Sequence, residues 1–215
     1  DRNLNREFPG KADGTETQRM AWAIEKLLYP AGDFLLDFHG GDWNEELAPL
    51  VFFPCGAGQT VEQETRRAAQ ALSVSMRVCS TARNGSYSWA AQKGIPALLL
   101  ERGGNGRWTS EEVDADCEDV LRLMNHLGII KENFGVIRQM EIAKAVYEEA
   151  PADGYWFPEV CAGQEVLKDA LLGRWKSSDG TQNCEVRARF AGRVLYETTA
   201  LGVRRNDPLG AYGTA

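Results

Sequence analysis

Short apolar runs set the rhythm of the first part of the chain. Phe34-Leu35-Leu36, Leu50-Val51-Phe52-Phe53, Val74 to Val78 and Ile95-Pro96-Ala97-Leu98-Leu99-Leu100 are each bounded by turn residues, which predicts buried strands. Between them the apolar spacing changes to three and four. Met20, Ile24, Leu27 and Leu28 recur at helical spacing behind the capping-box pair Thr15 and Gln18 and stop at Pro30; Leu27 and Leu28 are expected to pack this helix on the sheet. A second helix is expected from Thr60 to about Leu72, with Val61, Ala68, Ala69 and Leu72 inward. A third runs from Thr109 to about Leu127, with Val113, Cys117, Val120, Leu121 and Met124 as its apolar stripe and His126 in its last turn, where a cation suits the helix dipole. Residues 80–88 lack an apolar pattern and read as a polar loop carrying Tyr87.

The strand–helix alternation ends near Ile130. Beyond it come short runs separated by Gly, Asp and Asn, such as Trp156-Phe157-Pro158, Val194-Leu195-Tyr196 and Asn206-Asp207-Pro208, the texture of a small all-β module. The predicted organisation is therefore an α/β domain over residues 1–132 and a small β domain over 133–215.

Bulk properties narrow the partners. The 215 residues carry a net charge of −7, which argues against a nucleic-acid-coating surface and leaves only a local basic pocket, for which Arg2 and Arg6 are candidates. No apolar run is long enough to span a membrane. The five cysteines, Cys55, Cys79, Cys117, Cys161 and Cys184, are scattered without CxxC spacing, so neither a zinc knuckle nor a disulfide framework is expected and a reducing cytoplasm fits. The chain starts at Asp1 inside a polar loop with no strand before it, and is read as a fragment whose N-terminus lies upstream. A homo-oligomer is left open.

Candidate chemistry gathers where strands end. In Asp37-Phe38-His39-Gly40-Gly41, the imidazole stands where a buried strand opens into a loop, the place where α/β proteins collect ligands. His39 suits a metal ligand or a general base, with Asp37 or Asp42 able to hold its second nitrogen. Leu99-Leu100-Glu101-Arg102-Gly103-Gly104 repeats that architecture, and a carboxylate ending a buried strand is costly unless paired, metal-linked or catalytic. Asn5 and Arg6 offer an amide and a guanidinium fork, groups that bind a carboxylate, although a solvated surface loop is the plainer reading of their composition. Glu45 and Glu46 are an acidic pair in the loop after His39, a pattern more often solvated than catalytic.

Asn-Leu-Asn-Arg-Glu-Phe-Pro-Gly at 3–10, Asp-Phe-His-Gly-Gly at 37–41 and Leu-Leu-Glu-Arg-Gly-Gly at 99–104 together resemble the succinylglutamate desuccinylase and aspartoacylase family of zinc carboxypeptidase-like hydrolases. The resemblance covers nearly the whole chain. It implies a mixed-sheet, phosphorylase/hydrolase-like α/β domain followed by a β domain similar to a lipoyl or biotinyl barrel-sandwich. It also implies a zinc ion (Zn2+) held by His39 with a His-x-x-Glu pair expected upstream of Asp1. Glu101 matches the family's catalytic glutamate, which activates the zinc-bound water, and Asn5 and Arg6 match its carboxylate-binding pair. The family's Asp two residues before that Asn is Asn3 here, and its oxyanion arginine has no counterpart in register, since Arg2 is displaced. Tyr87 and Arg107 are further candidates for lining the pocket.

The implied activity is zinc-dependent hydrolysis of the amide bond of a small N-acyl amino acid or related carboxylate. A metallocarboxypeptidase, a non-catalytic small-molecule binding module and a carrier protein are the competing readings. The last needs an exposed lysine in a hairpin turn, and Lys168 and Lys176 both lack the Met-Lys-Met context.

Overall fold

A computed structural model describes residues 2–215, in two compact units. One comprises the chain up to His39, Val51–Leu100 and Glu118–Gln139; the other comprises Gly40–Leu50, Glu101–Cys117 and Met140–Ala215. In chain order the elements begin with α1 (Glu16–Ala23), β1 (Leu35–His39), β2 (Glu45–Leu47), β3 (Leu50–Pro54), α2 (Gln59–Ala71) and β4 (Met76–Ser80). They continue through α3 (Ser86–Gln92), β5 (Ala97–Glu101) and α4 (Ser110–His126). From there only strands follow among the named elements: β6 (Met140–Ile142), β7 (Lys144–Glu149), β8 (Gly154–Pro158), β9 (Glu165–Val166) and β10 (Leu171–Ser177). The last are β11 (Asn183–Arg187), β12 (Gly192–Thr198), β13 (Gly202–Val203) and β14 (Pro208–Thr214).

In the first unit, neighbouring strands follow the order β1-β5-β3-β4. Leu35 N–H donates to the Pro96 carbonyl at 2.9 Å, so β1 and β5 start together and run parallel. At the other end of the sheet, Cys55 N–H donates to Ser80 O at 2.8 Å, joining the carboxyl ends of β3 and β4. Period-two alternation splits the strands between two cores. Val51, Phe53, Leu98 and Leu100 face α2 and Leu123, with Ala68, Ala69 and Leu72 filling the gap. Leu35, Ala97 and Leu99 face the opposite layer, with Phe8, Ala21, Tyr29, Tyr87 and Ala90. The same alternation puts Asp37 and His39 on the row of Leu35, and makes Glu101 the next residue on the row of Ala97 and Leu99.

Three elements depart from the apolar pattern. The capping box at Thr15 and Gln18 is present, but Leu27 and Leu28 are 69% and 63% exposed rather than packed on the sheet. Past Ala23 the helix widens into a π turn over Ile24–Leu28, which rotates the last turn so that Glu25 and Tyr29 go inward. Helix α4 starts at its Thr109–Glu112 capping box, with Thr109 N–H donating to Glu112 Oε2 at 2.8 Å and Glu112 N–H donating to Thr109 Oγ1 at 3.2 Å. Its expected apolar stripe faces outward, however: Val113, Cys117, Val120 and Leu121 are exposed, while Asp119, Arg122 and Leu123 are buried. Asp119 accepts from Ser73 N–H at 2.5 Å, and Arg122 pairs with Glu118 at 2.7 Å and donates to Gly135 O at 2.9 Å. Polar groups with partners can line a core, and here they take the positions the stripe would have claimed. Finally, residues 80–88 are not loop throughout, because α3 starts at Ser86 and buries Tyr87.

The cysteine expectation is also overturned. Cys55 and Cys79 form a disulfide across the ends of β3 and β4, and Cys117, Cys161 and Cys184 are free. Two thiols 24 residues apart meet because parallel neighbours end side by side. No helix among the described residues is long and apolar enough to cross a membrane.

In the second unit, strands pair in the orders β11-β10-β8-β13 and β2-β12-β14-β7, with β9 also on β12. The sheets meet through Leu172, Val194 and Tyr212 at one end and Trp156, Trp175 and Leu209 at the other.

Candidate functional site

His39 is the last residue of β1, and its Nε2 lies 3.4 Å from Asp37 Oδ1. Of the two carboxylates that could hold the ring, the structure therefore selects Asp37. Two residues apart on a strand, both side chains point to the same face. Asp37 Oδ2 is buried and meets no donor.

Asp37 also leads toward the other candidates. Burial, with added repulsion from the Asp37 and Glu25 charges, pushes the Tyr29 hydroxyl up to about 12. Tyr29 O–H donates to the Ser86 carbonyl at 2.7 Å, and its ring stacks on Phe8 at 6.3 Å. Ser86 in turn donates its N–H to Asn5 Oδ1 at 2.6 Å. Asn5 lies in a single 3-10 turn, Leu4–Arg6, started by Asn3, whose Oδ1 accepts from Asn5 N–H at 2.8 Å. The local role left to Asn3 is thus a cap. Asn5 approaches so closely that a side chain at Gly85 would sit 2.6 Å from Asn5 Oδ1.

Hydrogen bonds therefore join Tyr29, Ser86 and Asn5 within the first unit, and Asp37, beside His39, acts on Tyr29 through its charge. Tyr87 follows Ser86 on α3, which packs on β1; it is 3% exposed and donates its O–H to Ser80 Oγ at 2.6 Å. Arg6 is exposed, and its Nη1 donates to the Asn5 carbonyl at 2.8 Å. The first unit thus holds His39 beside Asp37 on β1, and Asn5 against α3 with Arg6 hinged on its carbonyl. Asp37 was a candidate in the sequence; Tyr29 was not, because its helical spacing read as a helix end.

Glu101 closes β5 and is half-buried. In the second unit the segments that follow both strands stay side by side, with Gly41 N–H donating to Gly103 O at 3.0 Å. Arg102, whose side chain is 7% exposed, ties this turn to α4 through Asp116 at 2.8 Å. Arg107 bridges back to Gly104 through the backbone. Glu45 stands out among the acidic residues here. Burial and the neighbouring Asp42 carboxylate raise it to about 7. His126, by contrast, is held below its ordinary value by burial and by Arg67, so the last turn of α4 carries a neutral ring more readily than the expected cation.

Whether these residues fit a metal can be tested on the donor set. Among the described residues no group of three or more His, Cys, Asp or Glu side chains converges. The chain has two histidines, and His126 belongs to the far end of α4. His39 fits one ligand position, but the described residues do not make a zinc site by themselves.

In an open α/β layer the carboxyl edge of the strands, where His39 and Glu101 end β1 and β5, is where ligands collect. The chain belongs to the succinylglutamate desuccinylase/aspartoacylase family, whose catalytic domain matches residues 1–127. It is 26% identical over 219 residues to the N-alpha-acetyl-L-2,4-diaminobutyric acid deacetylase of Halomonas elongata, covering 96% of this chain. The chain spans 64% of the length of that curated relative. The product-bound ectoine utilization protein EutE (DoeB) of Ruegeria pomeroyi superposes with a TM-score of 0.88 at 24% identity, covering 100% of this chain and 68% of that one. A succinylglutamate desuccinylase/aspartoacylase from Rhodobacter sphaeroides gives 0.85 at 24% identity, over 99% of this chain and 68% of that one. These likenesses establish the mixed α/β fold.

Proposed function

We propose that this chain carries part of the active site of a zinc-dependent hydrolase that removes an acyl group from the nitrogen of a small amino-acid-like carboxylate. The observation that supports it most is the 2.6 Å bond from Ser86 N–H to Asn5 Oδ1, which holds Asn5 against α3, the helix packed on the strand that ends in His39. The Halomonas elongata relative is named for an N-acetylated diamino acid, and we take a substrate of that kind as the class to test.

In this reading Asn5 and Arg6 hold the substrate carboxylate, Arg6 by a two-point fork, and Tyr87 closes the pocket beside them. Glu101 accepts a proton from the attacking water and delivers it to the departing amine. His39, braced by Asp37, is the ligand this chain gives to zinc, which when bound polarises a carbonyl and acidifies water. The catalytic part corresponds to residues 1–132, in a carboxypeptidase-like fold, and residues 133–215 to an appended barrel-sandwich-like module. Cytoplasmic residence belongs to this proposal on the three free thiols, with the Cys55–Cys79 disulfide standing against it.

The test is hydrolysis of N-acyl amino acids, N-acetyldiaminobutyrate among them, by the full-length protein supplied with zinc, read as release of free amine. No release from any member of the series sinks the hydrolase. A second reading, a non-catalytic binding module, is favoured by the lack of a three-donor group among the described residues. It predicts carboxylate binding without turnover and without stoichiometric zinc.

A further inference from the structure

A small, partly open cavity with a mostly apolar lining lies in the second unit, in a place the proposed chemistry does not use. Strand register sets Glu46, Glu197, Gly210 and Glu148 in one row across β2, β12, β14 and β7. Side chains in such a row share a face of the sheet. Gly210 contributes none, and a Cβ there would come within 2.9 Å of the Tyr196 carbonyl oxygen. A gap of about 20 Å³ remains, lined by Glu148, Glu197 and Trp156 with Val194 and Leu209. One water needs roughly 10–15 Å³ on that measure.

Three buried polar atoms lack a partner: Trp156 Nε1, Glu148 Oε1 and Glu197 Oε2. Trp156 and Glu197 are only 3% and 7% exposed. Leaving them so is unfavourable, because each lost a hydrogen bond to water on folding. The set is one donor and two acceptors. A water matches it by accepting from the indole and donating to both carboxyl groups. A metal cation would face the indole N–H, and an anion would face the carboxylates.

The charges around the cavity are unequal. Glu148 pairs through its other oxygen with Arg189 Nη2 at 3.1 Å. Glu197 has no Lys or Arg partner among the described residues. Its neighbours along the row are Glu46 on β2 and, beyond Gly210, Glu148 on β7; from the facing sheet comes the neutral Trp156. Burial and the Glu46 carboxyl push Glu197 up to about 7.

We propose that this cavity binds a single water molecule, and that Glu197 carries a proton shared with Glu46, so that a proton and not a counter-ion fastens β2 to β12. The inference stands apart from the hydrolase reading. Because Glu197 binds its proton more tightly folded than unfolded, the stabilisation is present at low pH and fades as pH rises through about 7.

The chain is melted between pH 5.5 and 8.5 beside Glu197→Gln and Glu46→Gln. Glutamine at 197 keeps an N–H for Glu46 and cannot titrate. Glu46 is exposed, so its substitution leaves the core intact and carries the test if the first variant does not fold. Glu45 titrates in the same window in all three proteins, so the readout is the difference between curves. The parent should lose roughly 2–5 °C more across pH 6–8 than Glu197→Gln. In Glu46→Gln the loss should move to lower pH. Superimposable curves overturn the shared proton. A crystal structure of the chain should show one water within hydrogen-bonding reach of Trp156 Nε1; an empty or metal-filled cavity overturns the water.

Discussion

Asn5 and Ser86, 81 residues apart, are joined by a 2.6 Å hydrogen bond in which a side-chain amide oxygen receives the first backbone N–H of helix α3. The bond caps a helix that has no side-chain cap of its own, since the preceding residue is Gly85. It also fixes where the next residue, Arg6, can reach. Asn5→Ala removes both effects. The expected loss is about 1 kcal/mol of stability, read by denaturant unfolding, together with a rise in KM of about tenfold for carboxylate substrates. Unchanged stability with unchanged KM would show that the bond neither holds α3 nor shapes the pocket.

Glu101 tests the chemical step. Glu101→Gln preserves size and the end of β5 but cannot accept a proton. Turnover of an N-acyl amino acid is expected to fall by about 10²–10⁴, with zinc content and substrate KM little altered. Activity within a few-fold of the parent would remove the carboxylate from its assigned role.

Arg6 should separate binding from chemistry. The side chain is exposed and rests on its own neighbour's carbonyl, so truncation costs the fold little. Arg6→Ala should raise KM while leaving kcat nearly intact, and Arg6→Lys should recover only part, because an ammonium cannot make the two-point contact. The control is a substrate whose carboxylate is amidated: its KM should not respond to either change.

Much of this frame was legible in the residues themselves. β5 is a continuous apolar run that ends in a charge, so its position and its terminal Glu101 needed only the one-dimensional pattern. The inward face of α4 was not legible, because Asp119 and Arg122 became core residues through partners at Ser73 and Gly135 that only the folded chain supplies. The inward turn of Tyr29 was not legible for a similar reason. Its hydroxyl serves Ser86, 57 residues on, and its inward turn depends on a π-helical register that spacing cannot announce. Motif residues and Asp37, which braces His39, were legible; Tyr29, Asp119 and Arg122 were not.

Glu45 makes a pH prediction with a definite sign. Burial and Asp42 raise its carboxyl to about 7, so folding favours the protonated form. Stability from this group is complete below about 4.5, its ordinary value, and declines as pH climbs through about 7. Asp42→Asn removes the neighbouring charge and should shift that decline downward in pH, with the melting curve at pH 8 then less depressed relative to pH 6. A decline that stays in place would assign it to other groups.

The Cys55–Cys79 bridge gives the last prediction. It closes a loop of 24 residues that contains all of α2, so its effect on the unfolded chain is appreciable. Loop-closure entropy for that length corresponds to about 3 kcal/mol. Reduction should therefore lower the melting temperature by roughly 6–12 °C, at the 2–4 °C per kcal/mol usual for chains of this size. Cys55→Ser should melt with the reduced parent and ignore reductant. The free thiols supply the internal control, because Cys117, Cys161 and Cys184 are exposed and their substitution should change neither curve. If the parent melts identically with and without reductant, while mass spectrometry after thiol alkylation counts five modified cysteines in both, the ends of β3 and β4 are joined by hydrogen bonds alone.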